Sequence, residues 1–341
     1  MQAAIVGAGN FGTAVANIVA GNGVPTQLWM RDSEQLAEIR AHGENRRYLP
    51  GHRLERLIAP TSDLVRAVCS SDVVFVTVPS ASFRDVAGEL RAVLPAGACV
   101  ISATKGIEAD GFKLMSQILE ELLPEARIGV ISGPNLAEEM ADGRFSGTVV
   151  ASRDDGLRST VQEILKSPTF RVYSSTDVYG VELGGALKNI YAIVAGLATT
   201  LDIGQNALAM LITRSLAEMG RFAVALGANP FTFLGLAGVG DLFATCTSPL
   251  SRNFQLGARL ARGATLAEAM ESLGKLAEGV NTVRVVHAKS SELGVYMPLA
   301  DGLYRMLFEG ADLATIVHQL MTSTQRMDVE FAAPTAWSYQ Q

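Results

Sequence analysis

This chain's fold is decided by the stretch Gln2-Ala3-Ala4-Ile5-Val6-Gly7-Ala8-Gly9-Asn10-Phe11-Gly12. An apolar run ends at glycines, and small residues then follow with helical spacing, which predicts a strand, a tight turn and a helix. Gly7, Gly9 and Gly12 match the pattern G-x-G-x-x-G, in which the glycines allow the turn, the approach of a pyrophosphate and close helix–strand packing. Because N–H groups at a helix start bind phosphate, we expect a dinucleotide to bind here.

Similar strand signals recur along the first half of the chain. Short apolar runs, mostly rich in β-branched residues, alternate with helical patterns such as Glu34–His42 and Lys113–Leu122. The runs are Thr26–Trp29, Val73–Val78, Cys99–Ser102, Ile128–Ser132, Thr148–Ala151 and Phe170–Val172. This alternation predicts an α/β fold with a Rossmann-type, mostly parallel sheet that is covered on both faces.

From about residue 178 the strand signals stop and helical periodicity takes over. The helical segments are Glu182–Leu201, Ala207–Leu226, Gln255–Ala261, Leu266–Leu273, Thr282–Leu293 and Ala314–Met321. We therefore expect a dinucleotide-binding domain over residues 1–178 and an all-α substrate and catalytic domain over residues 179–341. The tail after about residue 330 has few core-forming residues and is expected to be disordered.

Charge and composition exclude several classes of partner. The formal net charge is −6 and the basic residues are scattered, so we expect no binding to nucleic acid or to an anionic membrane. The charge-free segment Ala3–Ala20 contains glycines and asparagines and lacks a basic leader, which argues against a signal peptide or a membrane span.

The cysteines and histidines suggest neither a disulfide framework nor a metal site. Cys69, Cys99 and Cys246 are far apart and form no C-x-x-C pair, and the four histidines show no ligand spacing. Cys69 and Cys99 are expected in the core. Unpaired cysteines fit a reducing compartment, so we expect a cytoplasmic protein. Because neither the cysteines nor the histidines have ligand spacing, we expect no metal ion.

The segment Gly184–Gly196 predicts a helix that is buried on nearly every side, yet it carries Lys188 and Asn189 side by side. Burial disfavours the ammonium form and lowers the pKa of a lysine toward the range where it exchanges protons. The alternative is that Lys188 reaches solvent and that Asn189 satisfies a backbone group.

Four other patches have the composition of a site. Ser102–Gly106, which contains Lys105, and Ser132–Glu139 follow the carboxyl ends of predicted strands, where open α/β sheets bind ligands. Asp241 lies among glycines and apolar residues, while Ser251 is a predicted N-cap that places Arg252 at a positive helix end. Each patch alone has a structural explanation as a surface charge, a turn or a cap. Their joint occurrence favours a site.

The end of the second predicted strand bears on the choice of cofactor. An acid there would hold the ribose 2′-hydroxyl of NAD, whereas an arginine would meet the extra phosphate of NADP. Arg31 precedes Asp32, which favours NADP, with use of both cofactors left open. The alternative is that Arg31 pairs only with solvent or with Asp32.

Taken together, these motifs resemble NAD(P)-dependent glycerol-3-phosphate dehydrogenase of the bacterial type over nearly the whole chain. The most specific are Gly185-Ala186-Leu187-Lys188-Asn189 and Ser251-Arg252-Asn253. The resemblance extends through Tyr48-Leu49-Pro50-Gly51, Lys105-Gly106-Ile107, Ser132-Gly133-Pro134, Ile212-Thr213-Arg214, Gly240-Asp241-Leu242, Thr245-Cys246-Thr247 and Glu278-Gly279. It implies the interconversion of dihydroxyacetone phosphate and sn-glycerol 3-phosphate with NADPH or NADH, in the supply of glycerol 3-phosphate for phospholipid synthesis.

The resemblance also implies roles for individual residues. Lys188 corresponds to the catalytic acid/base. Substrate binding is implied for Lys105, Gly133, Asn135, Lys188, Asp241, Ser251, Arg252 and Asn253. Cofactor binding is implied for Gly7, Gly9, Asn10, Phe11, Gly12, Arg31, Lys105, Ala137, Arg252, Leu276 and Glu278, and Tyr48 is a further candidate.

Two positions depart from the family pattern. Asn135-Leu136 stands where many relatives have serine or threonine followed by an aromatic residue, and Leu208 stands at a position that is often basic. Both put the strength of substrate binding in question. The oligomeric state stays open at this point, with a homodimer as one option.

Two other functions compete with this interpretation. A ketopantoate reductase-like or hydroxyacid dehydrogenase-like enzyme shares the two-domain architecture but binds a carboxylate, and the contiguous Lys188-Asn189 and the anion site at Arg252 disfavour it. A non-catalytic NAD(P)-sensing module would keep the fold without the chemistry, and the joint presence of Lys105, Lys188, Asp241 and Arg252 disfavours that.

Overall fold

An eight-stranded sheet organises residues 3–175 in the computed structural model, which describes residues 1–274 and 278–323. The strands are β1 (Ala3–Val6), β2 (Thr26–Trp29), β3 (Ile58–Thr61), β4 (Val73–Val76), β5 (Cys99–Ser102), β6 (Arg127–Ser132), β7 (Ser146–Ala151) and β8 (Phe170–Ser175). They are ordered β3-β2-β1-β4-β5-β6-β7-β8, and every neighbouring pair is parallel except β6 and β7. The prediction of a mostly parallel Rossmann-type sheet is confirmed.

Helices cover both faces of this sheet. They are α1 (Asn10–Gly21), α2 (Ser33–His42), α3 (Leu64–Val68), α4 (Phe83–Arg91), α5 (Met115–Leu122), α6 (Ala137–Ala141) and α7 (Asp155–Leu165). Along β1 the side chains alternate between two cores, with Ala3 and Ile5 packed toward α1 and α7, and Ala4 and Val6 packed toward α4 and α5. Burial on both faces explains why the central strands are continuously apolar.

The sequence does not predict β3. It is the edge strand next to β2, and Pro60 lies opposite Leu28 in the register. Proline cannot donate to a ladder and is tolerated at edges, so a short segment that contains it carries a weak strand signal.

After β8 the chain is helical. The helices are α8 (Val178–Thr200), α9 (Gln205–Ala225), α10 (Asp241–Thr247), α11 (Arg252–Ala261), α12 (Leu266–Ser272), α13 (Glu278–Leu293), α14 (Pro298–Phe308) and α15 (Leu313–Thr322). α8 is long and apolar enough to cross a membrane by length and composition, and 94% of its most apolar window is buried within the fold. A central core helix has that same composition.

Close contact between α8 and α11 sets the position of the site. A Cβ on Gly196 would overlap the carbonyl oxygen of Phe254, and one on Gly257 would overlap that of Ile193. Only glycine lets the two backbones approach this closely. The first half of α11 is thereby held against the C-terminal half of α8.

The structure differs from the sequence-based predictions at one cysteine and two helices. Cys69 is exposed at the end of α3 rather than in the core, because α3 is a short helix that ends there. α10 and α14 were not predicted, since α10 follows a glycine-rich π-helical turn at Leu236–Gly240 and α14 begins at a proline. The tail after about residue 330 lies outside the described residues.

Candidate active site

The glycine-rich turn after β1 has the geometry of a phosphate cradle. Gly7 adopts φ +123°, and a Cβ on Gly12 would overlap the carbonyl oxygen of Gly7, so both positions require glycine. A Cβ on Gly9 would meet nothing within 4 Å, and Gly9 caps α1 without any side-chain hydrogen bond. Open space therefore faces the unpaired N–H groups of the first turn, which is what a pyrophosphate needs.

Two buried amides that the sequence does not single out hold this turn in place. The carbonyl of Ala8 accepts from Gln35 Nε2 at 2.7 Å and from Asn45 Nδ2 at 2.9 Å. Asn45 Nδ2 also donates to the hydroxyl of Thr13 at 2.7 Å. No sequence signal could have found these residues, because a buried amide and a surface amide look alike in a single chain.

At the end of β2 the two charged residues have separate partners. Arg31 is exposed and forms an ion pair with Glu89 at 2.8 Å. Asp32 accepts from the backbone N–H groups of Glu34 and Gln35 as the N-cap of α2, and its other oxygen pairs with Arg47. The alternative that Arg31 pairs with Asp32 is therefore wrong.

A buried carboxylate joins the sheet to the helical part of the chain. Asp241, 1% exposed at the start of α10, accepts from Lys105 Nζ at 2.6 Å and also from Lys188 Nζ. Lys105 follows the carboxyl end of β5, whereas Lys188 lies in the middle of α8. The hydroxyl of Thr245, one turn along α10, accepts from Lys188 Nζ at 2.5 Å. Thr245 lies in the motif Thr245-Cys246-Thr247, but no sequence signal marks its contact with Lys188.

Lys188 is 7% exposed, so the alternative that it reaches solvent is wrong. Burial lowers the pKa of Lys188 to about 8, the attraction of Asp241 opposes this, and the nearby charge of Lys105 adds to it. The lysine is consequently mostly an ammonium at neutral pH, but close enough to its pKa to exchange a proton. Asn189 is also buried, and its amide has no hydrogen-bond partner among the described residues.

The start of α11 has the serine cap that the sequence predicts. Ser251 is the N-cap, and its hydroxyl accepts from the N–H of Phe254 at 3.3 Å. Arg252 is exposed and forms no ion pair with any residue in the described part of the chain. Asn253 is buried and accepts from the N–H of Gly279 at 3.1 Å, so its carbonyl oxygen is engaged in holding α13.

The start of α13 reaches back to the sheet. Glu278 accepts from the N–H of Ser80 at 3.1 Å and from its hydroxyl, directly after β4. Asn281 donates to the carbonyl of Ile107 at 3.1 Å. Glu278 thus lies at the carboxyl edge of the sheet, on the side where β1 delivers its glycine turn. Leu276 lies outside the described residues.

Most of the remaining candidates lie near β6. The carbonyl of Gly133 accepts from Lys105 Nζ at 2.9 Å, and Asn135 donates to the carbonyl of Gly147 at 2.9 Å. Ala137 begins α6, which packs on α1 beside Phe11. The Ser132 hydroxyl, beside Gly185, is buried and has no partner in residues 1–274 or 278–323.

Leu208, at the position that is often basic in relatives, packs at the edge of the helical core.

The arrangement brings most of the predicted residues to one edge. Gly7 and Gly9, Lys105 and Gly133 follow the carboxyl ends of parallel strands, where open sheets bind ligands. Glu278 reaches the same edge from the start of α13, through Ser80. Asp241 and Lys188 meet them from the helical side. Within the described ranges, no group of three or more His, Cys, Asp and Glu side chains could hold a metal ion.

Both halves of the chain match one family of known proteins. Family models match residues 2–157, described as the N-terminus of NAD-dependent glycerol-3-phosphate dehydrogenase, and residues 177–318, described as its C-terminus. A glycerol-3-phosphate dehydrogenase [NAD(P)+] from Azotobacter vinelandii is 55% identical over 334 residues, 98% of each chain.

Two solved structures of dehydrogenases or reductases show how similar the fold is to known enzymes. A glycerol-3-phosphate dehydrogenase from Coxiella burnetii superposes with a TM-score of 0.90 at 35% identity, over 94% of this chain and 99% of that one. A ketopantoate reductase from Ralstonia eutropha has a TM-score of 0.59 at 18% identity, over 94% and 100%, and shares the fold alone. The chain belongs to the NAD-dependent glycerol-3-phosphate dehydrogenase family.

Proposed function

We propose that this protein interconverts dihydroxyacetone phosphate and sn-glycerol 3-phosphate with NADPH or NADH. The observation that carries the proposal is the buried ammonium of Lys188, which is bonded to Asp241. Asp241 also binds Lys105, at the carboxyl edge of the sheet. The glycine turn after β1 lies at the same edge. A cation that is fixed in a water-poor site can stabilise charge that develops on a reacting oxygen.

The bound dinucleotide would supply a hydride to the ketone carbon. As the C=O bond becomes a C–O bond, Lys188 stabilises the negative charge on the oxygen and donates one proton to it, which yields the alcohol and a neutral amine. In the reverse direction the neutral amine accepts the hydroxyl proton. Asp241 keeps the ammonium in place, since its carboxylate is almost fully buried and bonded to it.

The substrate phosphate would bind at the start of α11. Arg252 lacks an ion-pair partner within the described ranges, and the capped helix start adds positive potential. Holding this remote group fixes the ketone relative to Lys188, and such positioning lowers the barrier. Gly133, Asn135, Ser251 and Asn253 complete the proposed substrate site together with Lys105.

The cofactor site would extend from the glycine turn to the start of α13. Gly7, Gly9 and Gly12 shape the pyrophosphate cradle, with Asn10 and Phe11 at the helix start. Arg31, Lys105, Ala137, Arg252, Leu276 and Glu278 are the further proposed cofactor contacts. The opening around Gly9 and the uncapped start of α1 support this placement.

Wider features of the protein are part of the same proposal. We infer a division into residues 1–178 and 179–341, a cytoplasmic homodimer and a role in phospholipid synthesis. The change from strands to helices between Ser175 and Val178 supports the division.

A direct assay tests the activity. Oxidation of NADPH and of NADH should be followed by absorbance with dihydroxyacetone phosphate and, in parallel, with ketopantoate. We expect oxidation with the phosphorylated ketone only. Oxidation with ketopantoate alone would favour the reductase alternative, and cofactor binding without any oxidation would favour a non-catalytic sensor.

Lys188→Ala should lower turnover by roughly 10²- to 10⁴-fold, the range that a general acid contributes. Binding of NADPH, measured by titration calorimetry, should stay close to wild type, because Lys105 still neutralises Asp241 in the variant. The matched control is Lys166→Ala, which removes an exposed lysine after α7 and should leave turnover unchanged. Wild-type turnover in Lys188→Ala would contradict the assignment.

A further inference from the structure

Both oxygens of the acid at the end of β2 have partners within the protein. Asp32 Oδ1 accepts from the N–H groups of Glu34 at 2.9 Å and Gln35 at 3.2 Å, and Oδ2 pairs with Arg47. An acid that selects NAD accepts a hydrogen bond from the ribose 2′-hydroxyl. Oδ1 of Asp32 is used by the cap, and the one acceptor site left on Oδ2 lies beside the guanidinium of Arg47, whose positive charge favours an anion there.

The segment that carries Arg47 is anchored directly to the glycine turn. Asn45 is 1% exposed and donates to the carbonyl of Ala8 and to Thr13 Oγ1. The backbone N–H groups of Tyr48 and Leu49 return to the carbonyl of Asn45, at 3.1 and 2.7 Å, and the side chain of Leu49 is fully buried. Arg47 therefore lies on a short turn that is tied at both ends beside the start of α2.

Two guanidinium groups flank the point where β2 passes into α2. Arg31 approaches from the strand, with its guanidinium 5.9 Å from the centre of the Trp29 ring, and Arg47 approaches from the anchored turn. The start of α2 contributes further positive potential. This spot adjoins the glycine turn, because Gln35 of α2 also donates to Ala8.

We propose that Arg47 acts together with Arg31 as the receptor for the 2′-phosphate of NADP, and that Asp32 serves to cap α2 and hold Arg47 rather than to select NAD. This inference rests on the dinucleotide site of the proposed function and adds a residue that determines cofactor specificity.

Arg31 and Arg47 can exchange their carboxylate partners for a phosphate with little loss of folding stability. Arg47 and Asp32 are 46% and 40% exposed, and Arg31 and Glu89 are 61% and 47% exposed. Ion pairs at this exposure contribute little to stability, so a phosphate that carries close to two negative charges can replace the carboxylates. Asp32 keeps its two backbone hydrogen bonds when Arg47 turns to the phosphate.

Binding of fragments tests the inference without the reaction. Dissociation constants of 2′,5′-ADP and 5′-ADP are measured by calorimetry for wild type, Arg47→Ala and Arg46→Ala. Arg46 is the matched control, an adjacent exposed arginine that pairs with Glu44 instead of Asp32. In Arg47→Ala we expect 2′,5′-ADP to bind about tenfold or more weakly and 5′-ADP to change by less than about twofold, as for one lost charge-assisted contact. Arg46→Ala should change neither.

A second variant separates the two roles of Asp32. Asparagine is as good an N-cap as aspartate, so Asp32→Asn keeps α2 capped while it frees Arg47. We expect binding of 2′,5′-ADP and of NADPH to tighten and binding of NADH to stay unchanged. An acid of the NAD-selecting kind would give the opposite result, weaker NADH binding.

Each outcome has a distinct meaning. Equal losses for both fragments in Arg47→Ala, or no loss for either, would overturn the inference, as would weaker NADH binding in Asp32→Asn. A selective loss for 2′,5′-ADP in a protein that fails to reduce dihydroxyacetone phosphate would support the inference while it refutes the proposed function.

Discussion

At the scale of single residues, the proposed chemistry depends on one carboxylate between two lysines. Asp241 is nearly fully buried, and its two oxygens bind different ammonium groups, Lys188 from α8 and Lys105 from the sheet. Desolvation of Lys188 outweighs the attraction of Asp241, which is why its pKa falls to about 8 instead of rising. The site keeps a cation in place and still allows its proton to leave.

This balance predicts a pH dependence of turnover. Reduction of the ketone needs the ammonium, so kcat for reduction should fall as pH rises through about 8, and kcat for alcohol oxidation should rise over the same range. Lys105→Met removes a like charge that lowers the pKa of Lys188, so that pKa should rise. The fall of kcat for reduction and the rise of kcat for oxidation should then both move to higher pH. Turnover at saturating substrate, measured as a function of pH, checks this.

Lys113→Met is the control for the charge effect. Lys113 lies on the segment that follows Lys105, but its ammonium pairs with Glu121 on α5. Its removal should leave the pH profile in place. An unchanged pH profile in Lys105→Met would show that Lys105 does not lower the pKa of Lys188.

At the scale of secondary structure, helix starts and glycine contacts build the site. α1 and α11 both begin at the site, the first with an uncapped glycine and the second with a serine cap beside Arg252. Gly196 and Gly257 let α11 lie directly on α8. The distance between Arg252, the proposed phosphate anchor, and Lys188, the proposed catalytic residue, therefore depends on two glycines that have no proposed contact with a ligand.

Gly257→Ala should disturb that distance. The added methyl would overlap the carbonyl oxygen of Ile193 and lie 2.8 Å from the backbone nitrogen of Leu197, so the helices must separate. We expect a loss of about 1–3 kcal/mol in the free energy of unfolding, as for overpacking elsewhere. The KM for dihydroxyacetone phosphate should also rise, because Arg252 and Asn253 begin the same helix. Urea denaturation and steady-state kinetics measure both effects.

Gly88→Ala provides the comparison. Gly88 lies within α4, where a Cβ would meet nothing within 4 Å. Alanine there should leave KM unchanged and stabilise the protein by up to about 1 kcal/mol through helix propensity. An equal response in both variants would mean that the α8–α11 contact has no special role.

At the scale of the whole molecule, polar contacts tie the helical part to the sheet on one side. Lys105 meets Asp241, Ser80 meets Glu278, and Ile107 meets Asn281. Glu182 of α8 accepts from the N–H of Ser116 at the start of α5. The sheet edge and the helices are thus joined around the proposed reaction site.

Two buried carboxyl groups make global stability depend on pH. Burial raises the pKa of Glu182 and of Glu218 from 4.5 to about 7. Between pH 4.5 and 7 the folded protein binds more protons than the unfolded chain, so their contribution to stability is complete below pH 4.5 and is lost as pH rises through about 7.

The variant Glu182→Gln with Glu218→Gln removes this contribution. Its free energy of unfolding relative to wild type should rise with pH over that interval, because the wild type alone must bury two ionised groups. Urea denaturation at a series of pH values gives the difference. The exposed Glu309→Gln should show no such trend, and a flat difference in the double variant would refute the titration of these groups.

The sequence predicted the features that depend on local geometry. The glycine pattern, the buried helix around Lys188 and the serine cap before Arg252 follow from backbone conformation and periodicity, and the structure has each of them. The prediction missed β3 at the edge of the sheet and α10 after its glycine turn, where proline and glycine obscure the pattern.

The sequence by itself determined the glycine turn, the mostly parallel sheet and the family, because each follows from contiguous motifs. Only the tertiary structure decided the partners of the charged and polar groups. Glu278 meets Ser80 across 198 positions of the chain, Lys105 meets Asp241 across 136, and Asp32 turns to Arg47 rather than to its neighbour Arg31. Such pairs form where packed elements bring side chains together, and neither composition nor spacing encodes which side chain will be within reach.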